Sequence, residues 1–174
     1  MEGTFKGSLN ELEQKLKGIR LLVLDIDGVL TDGRLLYGEN GEIGKSFNVK
    51  DGYGIRRLLD LNIHVATISA RRSEGAAIRL SELGVEHIFL GVKNKVDQLS
   101  VLQKALGIDK NGTAVMGDDI PDLKMMELGA LALTPSDGVR ELRERADWIT
   151  SRDGGHGAVR EVCDAIANLH KASK

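Results

Sequence analysis

Cysteine, proline and aromatic residues are scarce in this chain. It has one cysteine, two prolines, one tryptophan, two tyrosines and three phenylalanines. A single cysteine excludes a disulfide within the chain. Cys163 lies in an apolar helical pattern over residues 162–166, so we predict that it is a buried packing residue and not a reactive thiol.

Long apolar runs and an excess of one charge are also missing. No apolar stretch reaches the roughly 18 residues of a membrane-spanning helix, and residues 1–18 are polar without a signal-peptide pattern. Lys and Arg number 24 and Asp and Glu 26, for a formal net charge of −2. The two signs are mixed along the chain, which argues against a nucleic-acid-binding stripe or a polybasic membrane surface. We therefore expect a cytoplasmic protein whose partners include neither nucleic acid nor a membrane.

Glycine is abundant, with 21 residues that fall mostly singly at the ends of predicted elements. Strand and helix patterns alternate along the 174 residues, which predicts a parallel sheet with helices on both faces. We expect an α/β protein: a Rossmann-like three-layer α/β/α sandwich with a mostly parallel central sheet, a β-hairpin extension after strand one, and no cap domain. Residues 1–174 are predicted to form a single domain, with an N-terminal helix within residues 1–18 and a glycine-rich tail and C-terminal helix within residues 152–174.

The predicted elements rest on hydrophobic periodicity and on capping signals. Strands are expected at residues 21–25, 64–69, 87–90, 113–116, 131–133 and 148–149, where short apolar runs end in polar residues or turns. Helices are expected at residues 8–17, 55–61, 73–83, 95–106, 121–128 and 137–145, and from residue 158. Residues 34–37 and 42–47 are predicted to pair as the hairpin, because Asn40-Gly41 favours a tight turn.

Polar residues recur where the predicted strands end. Asp25 and Asp27 follow the apolar run 21–24, and ligands of open α/β sheets gather at such strand ends. Several carboxylates at one sheet edge would repel one another without a partner. A Mg²⁺ ion, which takes carboxylate and carbonyl oxygens, together with a bound phosphate, would resolve the conflict. The other candidate residues at strand ends are Ser69, Lys95, Asp118, Asp119 and Asp122.

These motifs, in this order, resemble those of the haloacid dehalogenase superfamily. The matching residues are Asp25-Ile-Asp27-Gly28-Val-Leu-Thr31, then Ser69, Lys95 and Gly117-Asp118-Asp119. The resemblance implies that Asp25 is a nucleophile forming an aspartyl-phosphate and that Asp27 protonates the leaving alcohol and then activates water. It also implies that Asp25, the backbone carbonyl of Asp27, and Asp118 bind Mg²⁺, that Ser69 and Lys95 clamp the phosphoryl group, and that Asp119 and Asp122 support the site.

Two further segments resemble the 3-deoxy-D-manno-octulosonate 8-phosphate phosphatases. They are Asn48-Val-Lys-Asp-Gly-Tyr-Gly-Ile-Arg56 and Gly154-Gly-His-Gly-Ala-Val-Arg-Glu161. That family is implied to be a capless homotetramer that acts in lipopolysaccharide biosynthesis. Its hairpin and its glycine-rich tail are implied to shape a neighbouring subunit's site. In this chain the tail residues are Gly154, Gly155, His156 and Gly157. The implied contacts to a phosphorylated sugar acid are Asp27, Asn48, Val49, Lys50, Asp51, Gly52, Arg56, Arg71, Arg79 and Lys95.

Three alternatives stay open at this point. The substrate is either the eight-carbon sugar acid or its nine-carbon relative, 2-keto-3-deoxy-nonulosonate 9-phosphate, and the tail sequence favours the former. A receiver-like signalling module uses the same residue types, but its phosphoacceptor lies on the third strand, and the predicted strand 87–90 ends without an Asp. A structural subunit without catalysis would not need Asp25 and Asp27. We also expect a chain truncated after Arg152 to fold and to lose catalytic efficiency.

Overall fold

The apolar run before Asp25 forms an inner strand of a seven-stranded sheet in the computed structural model, which describes residues 3–172. The strands are β1 (Thr4–Phe5), β2 (Leu21–Leu24), β3 (Leu36–Gly38), β4 (Gly41–Gly44), β5 (His64–Ser69), β6 (His87–Leu90), β7 (Thr113–Met116), β8 (Leu131–Thr134) and β9 (Trp148–Ile149). The order in the main sheet is β1-β9-β8-β7-β2-β5-β6. All neighbours pair in parallel except β1, which pairs antiparallel with β9.

Helices cover both faces of this sheet, as the alternating pattern predicts. They are α1 (Leu9–Gly18), α2 (Val49–Leu59), α3 (Glu74–Glu82), α4 (Lys95–Leu106), α5 (Leu123–Met126), α6 (Arg140–Arg143) and α7 (Ala158–Ala172), with 3₁₀ turns at Lys110–Gly112 and Ile120–Asp122. Alternate residues of β2 point to opposite faces: Leu22 and Leu24 pack with α1, α2, α3 and α7, whereas Leu21 and Val23 pack with α4, α5 and α6. The three-layer α/β/α prediction is confirmed.

Four of the predicted strands and the helix at residues 95–106 have the predicted bounds. The predicted helices at residues 121–128 and 137–145 are shorter, because 3₁₀ and turn geometry surrounds α5 and α6. The strand β1 was missed, since two residues carry no periodicity. The helix α2 begins six residues earlier than predicted, at Val49, because the Asn48 side chain accepts a hydrogen bond from Lys50 N at 2.9 Å.

Two glycines in α2 explain why the sequence predicts a later start for this helix. Glycine disfavours helices, but a Cβ at Gly54 would lie 2.9 Å from Cys163 Cβ, and one at Gly52 would lie 2.7 Å from Arg79 Nη2. The glycines therefore let α2 approach α7 and α3 closely. Cys163 is buried in this contact, as predicted.

The helix α7 belongs to the larger core. Its buried residues are Ala158, Val159, Val162, Cys163, Ala165, Ile166 and Ala167. Removing it would expose this apolar surface together with the facing sides of α1 and α2. The burial of α7 argues against the expectation that a chain truncated after Arg152 still folds, and that expectation stays a prediction.

The hairpin β3–β4 follows β2 as predicted and forms its own two-stranded sheet. Within residues 3–172, no cap domain is inserted over the strand ends. None of the helices in this part of the chain combines the length and the apolar character needed to cross a membrane.

Candidate active site

The predicted catalytic residues meet in one cleft at the carboxyl ends of β2, β5 and β7. Its volume is about 270 Å³. A larger cavity of about 720 Å³ near the end of α4 contains none of the predicted site residues. The cleft is lined by Asp25, Asp27, Gly33, Leu35, Ser69, Ala70, Arg71, Lys95, Asp118, Asp119, Pro121 and Asp122.

Asp25 reaches the cleft because the fully buried strand β2 ends directly before it. Its backbone N–H donates to Met116 O at 3.0 Å and so extends the pairing of β2 with β7. Ser69 ends the neighbouring strand β5, and its hydroxyl accepts a hydrogen bond from Arg71 N at 3.3 Å. Sheet register thus places a carboxylate and a hydroxyl at the same edge.

Lys95 is the first residue of α4, and its ammonium group enters the cluster of acids. Its Nζ lies 3.0 Å from Asp25 Oδ1 and 2.7 Å from Asp122 Oδ1. Burial alone would lower the pKa of Lys95, but the charges of Asp25 and Asp122 outweigh it and raise the pKa above its ordinary value. Lys95 is therefore a fixed cation.

Three carboxylates, those of Asp25, Asp118 and Asp122, bring one oxygen each within 4.8 Å of one another. Burial raises the pKa of Asp118 to about 8 and that of Asp25 to about 6, with a further contribution from the charge of Asp122. The Asp118 carboxylate can approach the loop after β2 because residue 28 is glycine. A Cβ there would lie 2.0 Å from Asp118 Oδ2. Crowded, desolvated carboxylates of this kind fit a hard divalent cation such as Mg²⁺.

The remaining acids of the cleft differ in their contacts. Asp122 is 1% exposed, and besides Lys95 it accepts a hydrogen bond from Asp118 N at 3.2 Å. Asp119 is exposed and caps the 3₁₀ turn through Ile120 N at 2.7 Å. Asp122 thus connects Lys95 with the backbone of Asp118, and Asp119 stabilises the turn that follows.

Asp27 lines the cleft but is held by the hairpin. Its Oδ1 accepts a hydrogen bond from Lys45, and its Oδ2 lies 3.5 Å from Arg71 Nε. The sequence predicts the hairpin after strand one but does not identify Lys45 and Glu42 as site residues. In the hairpin sequence, Glu42 and Lys45 flank Gly44 and the exposed Ile43.

A second group of predicted residues forms where α2 meets the tail. The Asp51 carboxylate is buried and accepts hydrogen bonds from Gly157 N at 3.3 Å and Arg160 N at 2.7 Å. Asn48 Nδ2 donates to Gly155 O at 3.2 Å. Asp51 was predicted to contact substrate, but here it caps the start of α7, and burial raises its pKa.

The tail packs on the loop that carries Asp27. Gly155 N donates to Val29 O at 3.0 Å, and a Cβ at Gly154 would lie 1.8 Å from Gly28 O. His156 is exposed. The tail therefore supports the catalytic loop of its own chain, and a contribution to a neighbour's site stays a prediction.

Other predicted substrate contacts lie outside the lining of the cleft. Arg56 is exposed and donates to Leu83 O at 3.2 Å, and Arg79 lies 3.4 Å from Glu82. The remaining three lie in the first turn of α2. Val49 and Lys50 are exposed there, and Gly52 is buried. Of the predicted arginines, the structure brings only Arg71 into the cleft.

Comparison with known proteins gives consistent matches. Residues 81–162 match the haloacid dehalogenase-like hydrolase family model. The 3-deoxy-D-manno-octulosonate 8-phosphate phosphatase of Salmonella typhi is 45% identical over 152 residues, which are 87% of this chain and 81% of that protein.

Solved structures agree with the sequence matches. The phosphatase of the same name from Moraxella catarrhalis, in complex with magnesium ion, phosphate ion and KDO, has a TM-score of 0.90 and 38% identity, covering 95% of this chain and 97% of that one. The cobalt-bound deoxy-D-mannose-octulosonate 8-phosphate phosphatase from Haemophilus influenzae has a TM-score of 0.88 and 38% identity, covering 91% and 93%.

Proposed function

Because this chain belongs to the family of 3-deoxy-D-manno-octulosonate 8-phosphate phosphatases within the haloacid dehalogenase-like hydrolases, we propose that it releases phosphate from that sugar acid phosphate. The observation that carries the proposal is the cluster of Asp25, Asp118 and Asp122 beside Lys95, in which Asp25 and Asp122 are buried and Asp118 is partly exposed. Its place would be lipopolysaccharide biosynthesis, in the cytoplasm, as a single domain.

In the first step, an Asp25 carboxylate oxygen attacks phosphorus. A P–O bond forms to Asp25, the bond to the sugar oxygen breaks, and Asp27 gives that oxygen a proton. Lys95 and Ser69 line the same cleft. They would hold the phosphoryl oxygens and stabilise their negative charge.

In the second step, water attacks phosphorus of the aspartyl-phosphate. Asp27, now ionised, takes a proton from that water, so inorganic phosphate leaves and Asp25 and Asp27 return to their first states. Asp27 can serve in both steps because it lies two residues from Asp25 on the same loop and lines the same cleft.

Asp25, the backbone carbonyl of Asp27, and Asp118 would hold Mg²⁺. When bound, the ion offsets negative charge so that a carboxylate can approach a phosphate dianion. The raised pKa values of Asp25 and Asp118 fit this role, because a cation at this position would favour their ionised forms.

Arg71 would bind the carboxylate of the sugar acid through its Nη1 group, since its Nε and Nη2 groups face Asp27 and Glu42. It is the predicted arginine that lines the cleft. Arg56, Arg79 and the segment 48–52 would contact the distant end of the substrate or a neighbouring copy.

The assembly would be a homotetramer. The hairpin exposes a set of large apolar side chains that a partner copy could cover. They are Leu35, Leu36, Tyr37 and Ile43, which are 45%, 61%, 60% and 66% exposed. In such an assembly the hairpin, with Gly154–Gly157 behind it, would narrow the open cleft of a neighbour. Sedimentation velocity tests this: a monomer would contradict it.

Phosphate release from the eight-carbon sugar acid phosphate, with and without EDTA, tests the function. We expect turnover that chelation abolishes and added Mg²⁺ restores. A panel that includes the nine-carbon 9-phosphate, compared by kcat/KM, tests the substrate. A preference for the nine-carbon compound, or a slowly decaying phosphorylated protein without turnover, would contradict the proposal.

A further inference from the structure

The hairpin contributes two charged residues to a closed ring of four alternating charges at the cleft. We call this ring the hairpin clasp: Asp27, Lys45, Glu42 and Arg71. Lys45 pairs with Asp27 and lies 3.5 Å from Glu42 Oε1. Arg71 Nη2 lies 2.8 Å from Glu42 Oε2, and Arg71 Nε lies 3.5 Å from Asp27 Oδ2. Each acid therefore contacts both cations.

Lys45, like Glu42, has no role in the two proposed chemical steps. Its side chain is only 2% exposed, which is rare for lysine unless the ammonium is paired. It follows β4 directly, so its position depends on the fold of the hairpin. The Lys45 ammonium is desolvated and pairs with Asp27, the proposed acid/base residue, so it is not an ordinary surface charge.

The contact with Lys45 fixes the terminal side-chain torsion of Asp27. The terminal torsion of an Asp side chain is broad, so a carboxylate keeps one orientation only where partners hold it. Lys45 binds Asp27 Oδ1. Asp27 Oδ2 is buried and, within the described chain, accepts no hydrogen bond. Oδ1 is thus anchored by Lys45, whereas Oδ2 lies 3.5 Å from Arg71 Nε without a hydrogen bond and can carry the proton for the reacting atom.

We propose that Lys45 is a positioning residue that orients Asp27 for proton transfer to the leaving sugar oxygen. The inference rests on the proposed phosphatase function. It predicts a defect confined to proton transfer, because Lys45 acts through Asp27 and does not line the cleft. An alkyl phosphate needs this proton, whereas p-nitrophenyl phosphate expels a stable phenolate without it.

The test compares Lys45→Met, which keeps the apolar stem, with the wild type by rapid mixing. For the sugar acid phosphate we expect the first-step rate constant to fall about 10- to 100-fold, a part of what general acid catalysis supplies. The KM should change by less than about twofold, and the first step with p-nitrophenyl phosphate by less than about threefold. Lys45→Arg should recover most of the loss.

Controls separate positioning from folding. Lys15→Met removes another paired lysine, 3.2 Å from Asp147 and remote from the cleft, and should leave both substrates unaffected. In an Asp27→Asn background, Lys45→Met should add no further loss, because the effect passes through Asp27. If Lys45→Met fails to fold, Lys45→Gln carries the same comparison.

Equal losses on both phosphates, a rise confined to KM, or an additional loss in the Asp27→Asn background would overturn the inference. If the wild type does not hydrolyse the sugar acid phosphate, the proposed substrate fails instead. The comparison is then made with any alkyl phosphate that the wild type does hydrolyse, and the inference about Lys45 stands or falls separately.

Discussion

Lys95 places its ammonium nitrogen 3.0 Å from Asp25 Oδ1, although it is the first residue of a helix, where a cation is unfavourable. The nearby acids outweigh the unfavourable helix dipole. Asp122, which is almost fully buried, contacts the same nitrogen. The stability of the folded protein and the chemistry of the cleft therefore depend on one side chain.

Lys95→Met leaves Asp122 buried without its cation. We expect a loss of about 3 kcal/mol in the free energy of unfolding, as when one partner of a buried ion pair is removed. Adding Asp122→Asn should recover much of the stability, because the unpaired charge is then gone, but it should not recover phosphatase activity. Thermal unfolding and phosphate release measure the two effects. Recovery of both would contradict a role for Lys95 in catalysis.

The stability of the metal-free protein should depend on pH through the acid cluster. The pKa of Asp118 rises from 3.8 to about 8 and that of Asp25 from 3.8 to about 6, chiefly through burial. Above pH 3.8 the folded state therefore binds more protons than the unfolded chain, so the free energy of unfolding decreases as pH rises. The decrease is complete once pH has passed the folded-state pKa values of about 6 and about 8. In EDTA we expect Tm to fall between about pH 4 and about pH 8.

Magnesium should oppose this fall, since it binds the folded, ionised form and stabilises it by mass action. Asp118→Asn should flatten the pH dependence in EDTA and weaken the effect of Mg²⁺. Differential scanning calorimetry across the pH series provides the measurement. A Tm that increases with pH in EDTA would show that these carboxyls are not desolvated as described.

Asp51→Ala should mainly lower stability. Two backbone donors, Gly157 N and Arg160 N, lose their acceptor at the start of α7. We expect a cost of about 1–3 kcal/mol for leaving buried donors unsatisfied, which corresponds to roughly 2–4 °C in Tm per kcal/mol for a chain of this size. If Asp51 bound substrate instead, KM would rise with Tm unchanged.

Gly154→Ala should impair catalysis by displacing the catalytic loop. The new Cβ would lie 1.8 Å from Gly28 O, so the loop that carries Asp27 must move. We expect kcat to fall about 10-fold or more, since small misplacements of reacting groups are costly. Gly75→Ala is the matched control, because a Cβ there would meet no atom within 4 Å apart from its chain neighbours and the backbone of its own helix, within the described chain. Equal activity of the two variants would contradict the tail's supporting role.

Sequence reasoning predicted the sheet and the catalytic cleft because both depend on short-range patterns. The apolar run into Asp25 and the glycine-bounded strands fix which residues end at the same edge, and Ser69, Lys95 and Asp118 meet there as expected. The misfit of a lysine at a helix start was a further signal for Lys95.

Tertiary contacts decided what the sequence did not predict. The glycine at position 54 of α2 is needed for close packing against Cys163, which local propensity cannot show. Lys45 is buried only because the hairpin folds back onto Asp27. Asp51 matches a substrate-binding segment by resemblance, yet its carboxylate is occupied by backbone donors from a helix that begins over a hundred residues later.

The central claim is that Asp25 accepts the phosphoryl group. The direct test uses 3-deoxy-D-manno-octulosonate 8-phosphate that is radiolabelled at phosphorus. It is mixed with the Mg²⁺-loaded enzyme, and the reaction is quenched in acid during the first turnover. We predict label on the peptide containing Asp25, removable by hydroxylamine, and none on Asp25→Asn, which should stay folded and lose at least about 1,000-fold in kcat, as expected for a missing nucleophile. Full turnover by Asp25→Asn, or label on a different residue, would contradict the account.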